Sequence, residues 1–106
     1  MNDRELLEMA ARAAGITGIT RDGGIELSKD HAKPPYDWRM WNPLTDDGDA
    51  LRLAVKLHMF DYGRLKQFRL EETRLDPSRD DCAIMRRAIV RAAAEIGRTM
   101  TTESVR

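Results

Sequence analysis

The sequence predicts an α+β domain, in which a small antiparallel sheet is sandwiched or covered by about three α-helices. Three segments place apolar residues at helical spacing. They are residues 2–14, 46–58 and 77–98. Between them, residues 16–28 and 59–75 are rich in strand-type residues and contain turn residues, as hairpins do. We expect a single domain over residues 1–100 and a polar, frayed tail at 101–106.

The first helix has a start signal and a stop signal. Asn2 is a favoured capping residue, and Glu5 follows three positions later, as in a capping box. Gly15 can end the helix in the left-handed conformation. The apolar positions are Leu6, Leu7, Met9, Ala10, Ala11, Ala13 and Ala14. The many alanines indicate close packing against another element, and they leave open a homo-oligomer in which this helix packs across a two-fold axis.

The first hairpin is predicted from the sequence Arg21-Asp22-Gly23-Gly24. Asp-Gly favours a two-residue turn in which both central residues have positive φ. Ile25 follows the turn and shares one face of the second strand with the next apolar residue, Leu27.

Residues 29–44 read as a connection, because Pro34, Pro35 and Pro43 exclude a regular helix or a central strand. Aromatic side chains in a connection either cover a core or bind a partner. For Trp41 we favour a lid over the core. For Trp38 a binding role has equal weight, and Tyr36 belongs to the same candidate surface.

Three aspartates, Asp46, Asp47 and Asp49, surround Gly48 at the start of the second predicted helix. Such a cluster can hold a metal, serve acid/base chemistry or start a helix. Capping is favoured, since acids in the first turn stabilise the positive end of a helix and Asp49 can pair with Arg52. The spacing does not match a calcium loop. A small enzyme or nucleotide-binding protein that uses this cluster remains an alternative.

The apolar stripe predicted for the second helix consists of Leu51, Ala54, Val55 and His58, with Ala50, Leu53 and Leu57 beside it. Arg52 and Lys56 share the outer face. His58 on this stripe is typical of a core histidine.

Residues 59–75 predict two strands with a turn near Gly63 or Lys66, because Phe68 and Leu70 alternate with polar residues. In the third helix the stripe is Cys82, Met85, Ala88, Ile89, Ala92 and Ile96. Cys82 is expected to be a small buried apolar residue rather than a nucleophile. Gly97 should weaken the helix end, and Glu95 should pair with Arg91.

Composition limits the function. Lys+Arg and Asp+Glu both number 18, so the formal net charge is zero, which argues against a general nucleic-acid binder. One cysteine and a charged start predict a cytoplasmic protein. We predict no membrane span, no metal site and no cofactor. An arginine-rich face remains the alternative for nucleic acid: Arg64, Arg69, Arg74, Arg87, Arg91 and Arg98.

Three stretches of the chain are RELLEMAARAAGI, WNPLTDDGDALRLAVKL and MRRAIVRAAAEIGR. In this order they resemble a family of small phage and prophage proteins of Gram-negative bacteria, the phage ABA sandwich domain family. The resemblance implies helices around a small sheet and action in the host bacterial cytoplasm. It brings no catalytic residues.

The functional expectation is therefore a non-enzymatic accessory protein that binds a host or phage protein. Inhibition of a bacterial anti-phage defence system is its specific form. The candidate binding residues are Tyr36, Trp38, Trp41, Asp46 and Asp47.

Overall fold

The computed structural model of this chain describes residues 2–28 and 40–104. In that part, four helices and a three-stranded antiparallel sheet confirm the predicted α+β class. The elements in chain order are α1 (Asp3–Ala14), β1 (Gly18–Arg21), β2 (Gly24–Leu27), β3 (Met40–Trp41), α2 (Asp47–Lys56), a 3₁₀ turn (Met59–Asp61), α3 (Gly63–Leu75) and α4 (Asp81–Ser104).

Both ends of α1 form as predicted. The Asn2 side chain accepts a hydrogen bond from the Glu5 backbone N–H at 2.9 Å. Gly15 has φ 71°, and its N–H bonds back to the carbonyls that end the helix. These contacts satisfy backbone groups that a helix end otherwise leaves open.

The first hairpin is confirmed, with Arg21 paired to Gly24 across the turn. The predicted backbone of the turn is wrong, since neither Asp22 nor Gly23 has positive φ. Gly24 carries it instead, at 130°. A Cβ on Gly24 would also lie 2.5 Å from the Trp41 carbonyl oxygen, so the glycine permits the close approach of β3.

Trp41 lies in a strand rather than in a connection. β3 pairs with β2, and the sheet order is β1-β2-β3. Trp41 faces Ile25 across this pairing, and both side chains are buried in the core. Pro43 lies two residues beyond Trp41, the last paired residue of β3. A proline there prevents a longer strand but permits this short one.

The predicted strands at residues 59–75 are wrong. A 3₁₀ turn and α3 occupy this segment. The inner face of α3 carries Leu65, Phe68 and Glu72. Because a charged residue takes one inward position, the apolar period of a helix is interrupted, and the alternation of Phe68 and Leu70 imitates a strand.

The packing of α1 on α4 is the most extensive contact between elements, which confirms the close packing predicted from the alanines. A Cβ on Gly97 would lie 1.9 Å from the Met9 carbonyl oxygen. Gly97 is therefore the point where the two backbones touch, not the weak helix end that we predicted. α4 continues past it to Ser104.

The buried face of α2 differs from the predicted one. Ala50, Leu53 and Ala54 are buried, as is Asp49, whereas Leu51 and Val55 are each 56% exposed. Arg52 and Lys56 are exposed as expected. His58 lies beyond the end of α2 with φ 52°, and it is exposed rather than in the core.

Two predicted core residues of α4 lie at the surface. Cys82 is exposed, and Met85 is 37% exposed. Ile84 takes the buried position in that turn instead. Further along, α4 is buried over most of its circumference, since α1, α2 and α3 all pack on it.

One face of the sheet meets the helices. Ile25, Leu27 and Trp41 point into the core, whereas Ile19 and Met40, on the opposite face, are 59% and 41% exposed. Within residues 2–28 and 40–104 the sheet is thus covered on one side by helices, the second of the two predicted arrangements.

Candidate functional site

The segment from Trp41 to Asp49 is tied together by internal hydrogen bonds. The Asp46 carboxylate caps α2 by accepting from the Asp49 N–H at 2.8 Å. The Asp49 side chain is buried, and it accepts from the Asn42 N–H at 3.0 Å and from Arg52 Nη2 at 2.8 Å. These contacts confirm the predicted helix start and the predicted Asp49–Arg52 pair.

Asp47 extends this network to α4. Its carboxylate lies 2.6 Å from Arg86 Nη1, and Arg86 Nε donates to the Leu44 carbonyl at 2.9 Å. All three aspartates therefore have partners in their own chain. Trp41 is buried at 3% exposure, so this segment holds β3 against α2 and α4.

The structure describes three of the five candidate binding residues. Trp41 is buried, and Asp46 and Asp47 are exposed at the α2 start. Tyr36 and Trp38 lie outside the described residues.

Four of the six predicted arginines come together. Arg64, Arg87, Arg91 and Arg98 line a groove of about 400 Å³ where α3, α4 and α1 meet. Arg69 and Arg74 do not line it. The floor of the groove is formed by Phe68, over whose ring the guanidinium groups of Arg64 and Arg91 lie at 4.8 and 4.5 Å.

Glu72 organises this groove from below. Its side chain is 2% exposed, and three arginines converge on it. Oε1 accepts from Arg79 Nη2 at 2.9 Å and lies 3.3 Å from Arg87 Nε. Oε2 accepts from Arg91 Nη1 at 2.8 Å. A buried carboxylate needs such compensation for its lost hydration, so the network explains why a charge can occupy the inner face of α3.

The outer carboxylates complete the pairing. Arg91 also donates to Glu71 at 2.8 Å, and Arg87 donates to Asp3 at 2.8 Å. Arg64 donates to Glu95 at 3.2 Å, so Glu95 pairs across to α3 rather than with Arg91 as predicted.

Tyr62 lies beside the Arg64–Glu95 pair. Partial burial raises the pKa of its phenol, and the negative charge of Glu95 raises it further. The hydrogen bond to Glu95 likewise raises the pKa of Arg64. The tyrosine is therefore a neutral neighbour of the groove rather than a base.

The sequence did not predict a second surface, which lies on α2 and the 3₁₀ turn. Leu51 and Val55 lie one turn apart on the outer face of α2, each 56% exposed, and Phe60, in the 3₁₀ turn that contacts α2, is 66% exposed. We call these three residues the 51/55/60 surface. The signal for it was the alternative stripe of Ala50, Leu53 and Leu57, which leaves Leu51 and Val55 on the outside.

Among the described residues, no three His, Cys, Asp or Glu side chains converge as a metal site would require. None of the described helices combines the length and apolarity needed to cross a bilayer. No protein-family model, curated protein sequence or solved structure matches this chain.

Proposed function

We propose that this chain is a small accessory protein that acts by binding another protein through the 51/55/60 surface. The observation that carries the proposal is the exposure of Leu51, Val55 and Phe60, at 56%, 56% and 66%. Large apolar side chains exposed on two elements in contact are typical of protein interaction sites. Phenylalanine in particular is enriched at interfaces.

The size of the surface indicates what it contributes. Covering the exposed parts of three such side chains is worth roughly 3–4 kcal/mol. Association itself costs at least about 4 kcal/mol, so these residues would be the anchor of a larger contact and not the whole of it. The neighbouring charges of Arg52 and Lys56 would form its polar rim.

The three stretches that resemble the phage ABA sandwich domain family extend the proposal. They support a phage or prophage origin, a site of action in the host bacterial cytoplasm, and a host or phage protein as the partner. In its most specific form, the chain inhibits a bacterial anti-phage defence system by occupying a surface that the system needs.

A second candidate function, nucleic-acid binding, is favoured by one observation. Lys66 and Arg74 are exposed on α3 and Arg69 is half-buried there, and no salt bridge joins the three to another residue within 2–28 and 40–104. The groove arginines support it less, because carboxylates pair with Arg64, Arg87 and Arg91. A gel shift at low salt distinguishes the two candidates: retardation that disappears in Lys66→Ala/Arg69→Ala/Arg74→Ala favours nucleic acid.

Co-purification from a Gram-negative host tests the protein-binding proposal. The chain is expressed as itself, as Val55→Asp/Phe60→Asp, and as the control Leu70→Asp, whose side chain on α3 is 41% exposed. We expect one partner to be recovered in stoichiometric amount with the native chain and the control, and to be lost with the double variant. Equal recovery with all three chains would contradict the proposed surface. Thermal melting confirms that each variant is folded.

A further inference from the structure

The edge of β1 that faces away from β2 is not paired by any strand of the described residues. The Ser28 N–H donates to the Thr17 carbonyl at 3.0 Å, which fixes the alternation of the hairpin. Ile19 and Arg21 therefore direct their backbone groups toward β2, while Gly18 and Thr20 direct theirs away from it. Within residues 2–28 and 40–104, no strand pairs with this outer edge of β1.

Two features flank this edge. On the helix side, a cleft of about 390 Å³ separates β1 from α1, and the Thr20 hydroxyl donates to the Glu8 carboxylate at 3.1 Å. Beside the edge, on the outer sheet face, the Ile19 side chain is 59% exposed. Nothing bulky projects at Gly18, and its Cβ position would meet the Glu26 carbonyl, so glycine is required there.

We propose that β1 pairs with β1 of a second copy of this chain, antiparallel across a two-fold axis at Ile19. This register follows from the free groups themselves. Gly18 of one copy and Thr20 of the other exchange both backbone hydrogen bonds, and the same exchange recurs on the other side of the axis. Every outward-pointing N–H and C=O of Gly18 and Thr20 is then satisfied.

The same register covers the exposed isoleucine. Ile19 meets its own counterpart in a non-hydrogen-bonded pair, the position at which side chains of antiparallel strands lie closest. The two three-stranded sheets become one continuous sheet of six strands, in which the outer edge of β1 is covered. A two-fold contact requires such self-complementarity, because each residue meets its symmetry mate.

This site differs from the one expected from the alanines of α1, which pack on α4 of the same chain and are not available. It is also independent of the 51/55/60 surface, so either proposal can fail without the other. With four backbone hydrogen bonds and one apolar pair at the axis, the dimer is expected to be weak and dependent on concentration.

Disulfide trapping tests the register directly. Cys82 is first replaced by serine, because it is exposed and would react. In this background, Ile19→Cys brings two sulfurs together at a Cα separation of about 4.5 Å, which a disulfide accepts. Met40→Cys is the matched control, since it lies on the same sheet face but on β3, at the opposite edge of the sheet from β1. We expect covalent dimer with Ile19→Cys under mild oxidation and little with Met40→Cys; equal rates would overturn the proposal.

Sedimentation equilibrium provides the second measurement. The native chain should show monomer and dimer in an equilibrium that shifts with concentration. Ile19→Asp places two like charges opposite each other and should weaken the dimer by at least about tenfold, whereas Met40→Asp should leave it unchanged. A chain that remains monomeric at millimolar concentration, or a dimer that Ile19→Asp does not weaken, would overturn the β1 pairing.

Discussion

At the scale of single residues, Glu72 shows how a charge can occupy a core position. Its carboxylate is 2% exposed and contacts three arginines. These are Arg79, Arg87 and Arg91, whose side chains are each only 25–28% exposed. Isolated, such a charge would be strongly destabilising. The network therefore makes the positions of α3 and α4 interdependent, and it uses arginines that could otherwise face a ligand.

Glu72→Gln should lower the free energy of unfolding by about 3 kcal/mol, because it leaves three partly buried arginines without their shared counter-charge. Urea denaturation measures this. Glu71→Gln is the control, since the Glu71 side chain is 40% exposed and its pair with Arg91 should be worth less than about 1 kcal/mol. Equal losses in the two variants would contradict a central role for Glu72.

The aspartates at the start of α2 differ in the same way. Asp46→Ala removes the side chain that caps the helix and should cost about 1 kcal/mol of stability, within the usual range for such caps. Asp47→Ala should cost less, because its carboxylate is 69% exposed. Thermal melts of both variants measure the difference. A catalytic role would instead show as lost activity in Asp47→Ala at unchanged stability.

At the scale of elements, sequence predicted best where local chemistry decides the structure. The cap at Asn2, the stop at Gly15 and the cap at Asp46 each depend on contacts within a few residues. α3 was missed because Glu72 lies on its inner face and is satisfied by arginines distant in sequence. The buried face of α2 was predicted wrongly for a similar reason, because the charged residue Asp49 lies on that face.

Gly97 allows the backbones of α1 and α4 to approach closely. Gly97→Ala would place a Cβ 1.9 Å from the Met9 carbonyl oxygen, so the helices must separate. We expect a loss of about 3 kcal/mol, at the upper end for overpacking. In the control Gly63→Ala, no atom lies within 4 Å of the new Cβ, and stability should be unchanged or rise by up to about 1 kcal/mol. Chemical denaturation measures the free energy of unfolding of both variants. Equal values for the two would contradict the close contact between Gly97 and Met9.

His58 joins α2 to the 3₁₀ turn in the left-handed conformation, with φ 52° and ψ 42°. Residues other than glycine and asparagine rarely adopt this backbone conformation, because it is sterically unfavourable for them. Because His58 is exposed, His58→Gly should relieve strain without opening the core and raise stability by up to about 1 kcal/mol. His58→Val should lower it. A melting temperature that falls in both variants would show that the imidazole makes a stabilising contact.

At the scale of the whole molecule, one helical layer covers one face of a small sheet, and charges are balanced locally as well as overall. The zero net charge was visible in composition, but the pairing of individual arginines was not, because it joins α3 and α4 across the fold. The exposure of Leu51, Val55 and Phe60, three of several large apolar residues at the surface, became visible only when the helix faces were known.

Photo-crosslinking in a Gram-negative host tests the central proposal most directly. A photoreactive amino acid is placed at Val55, on the 51/55/60 surface, and at Leu70, on the exposed side of α3, in separate chains. Binding through the 51/55/60 surface predicts one discrete covalent adduct with another protein from position 55 and none of that mass from position 70. The same adducts from both positions, or an adduct from position 70 alone, would contradict it.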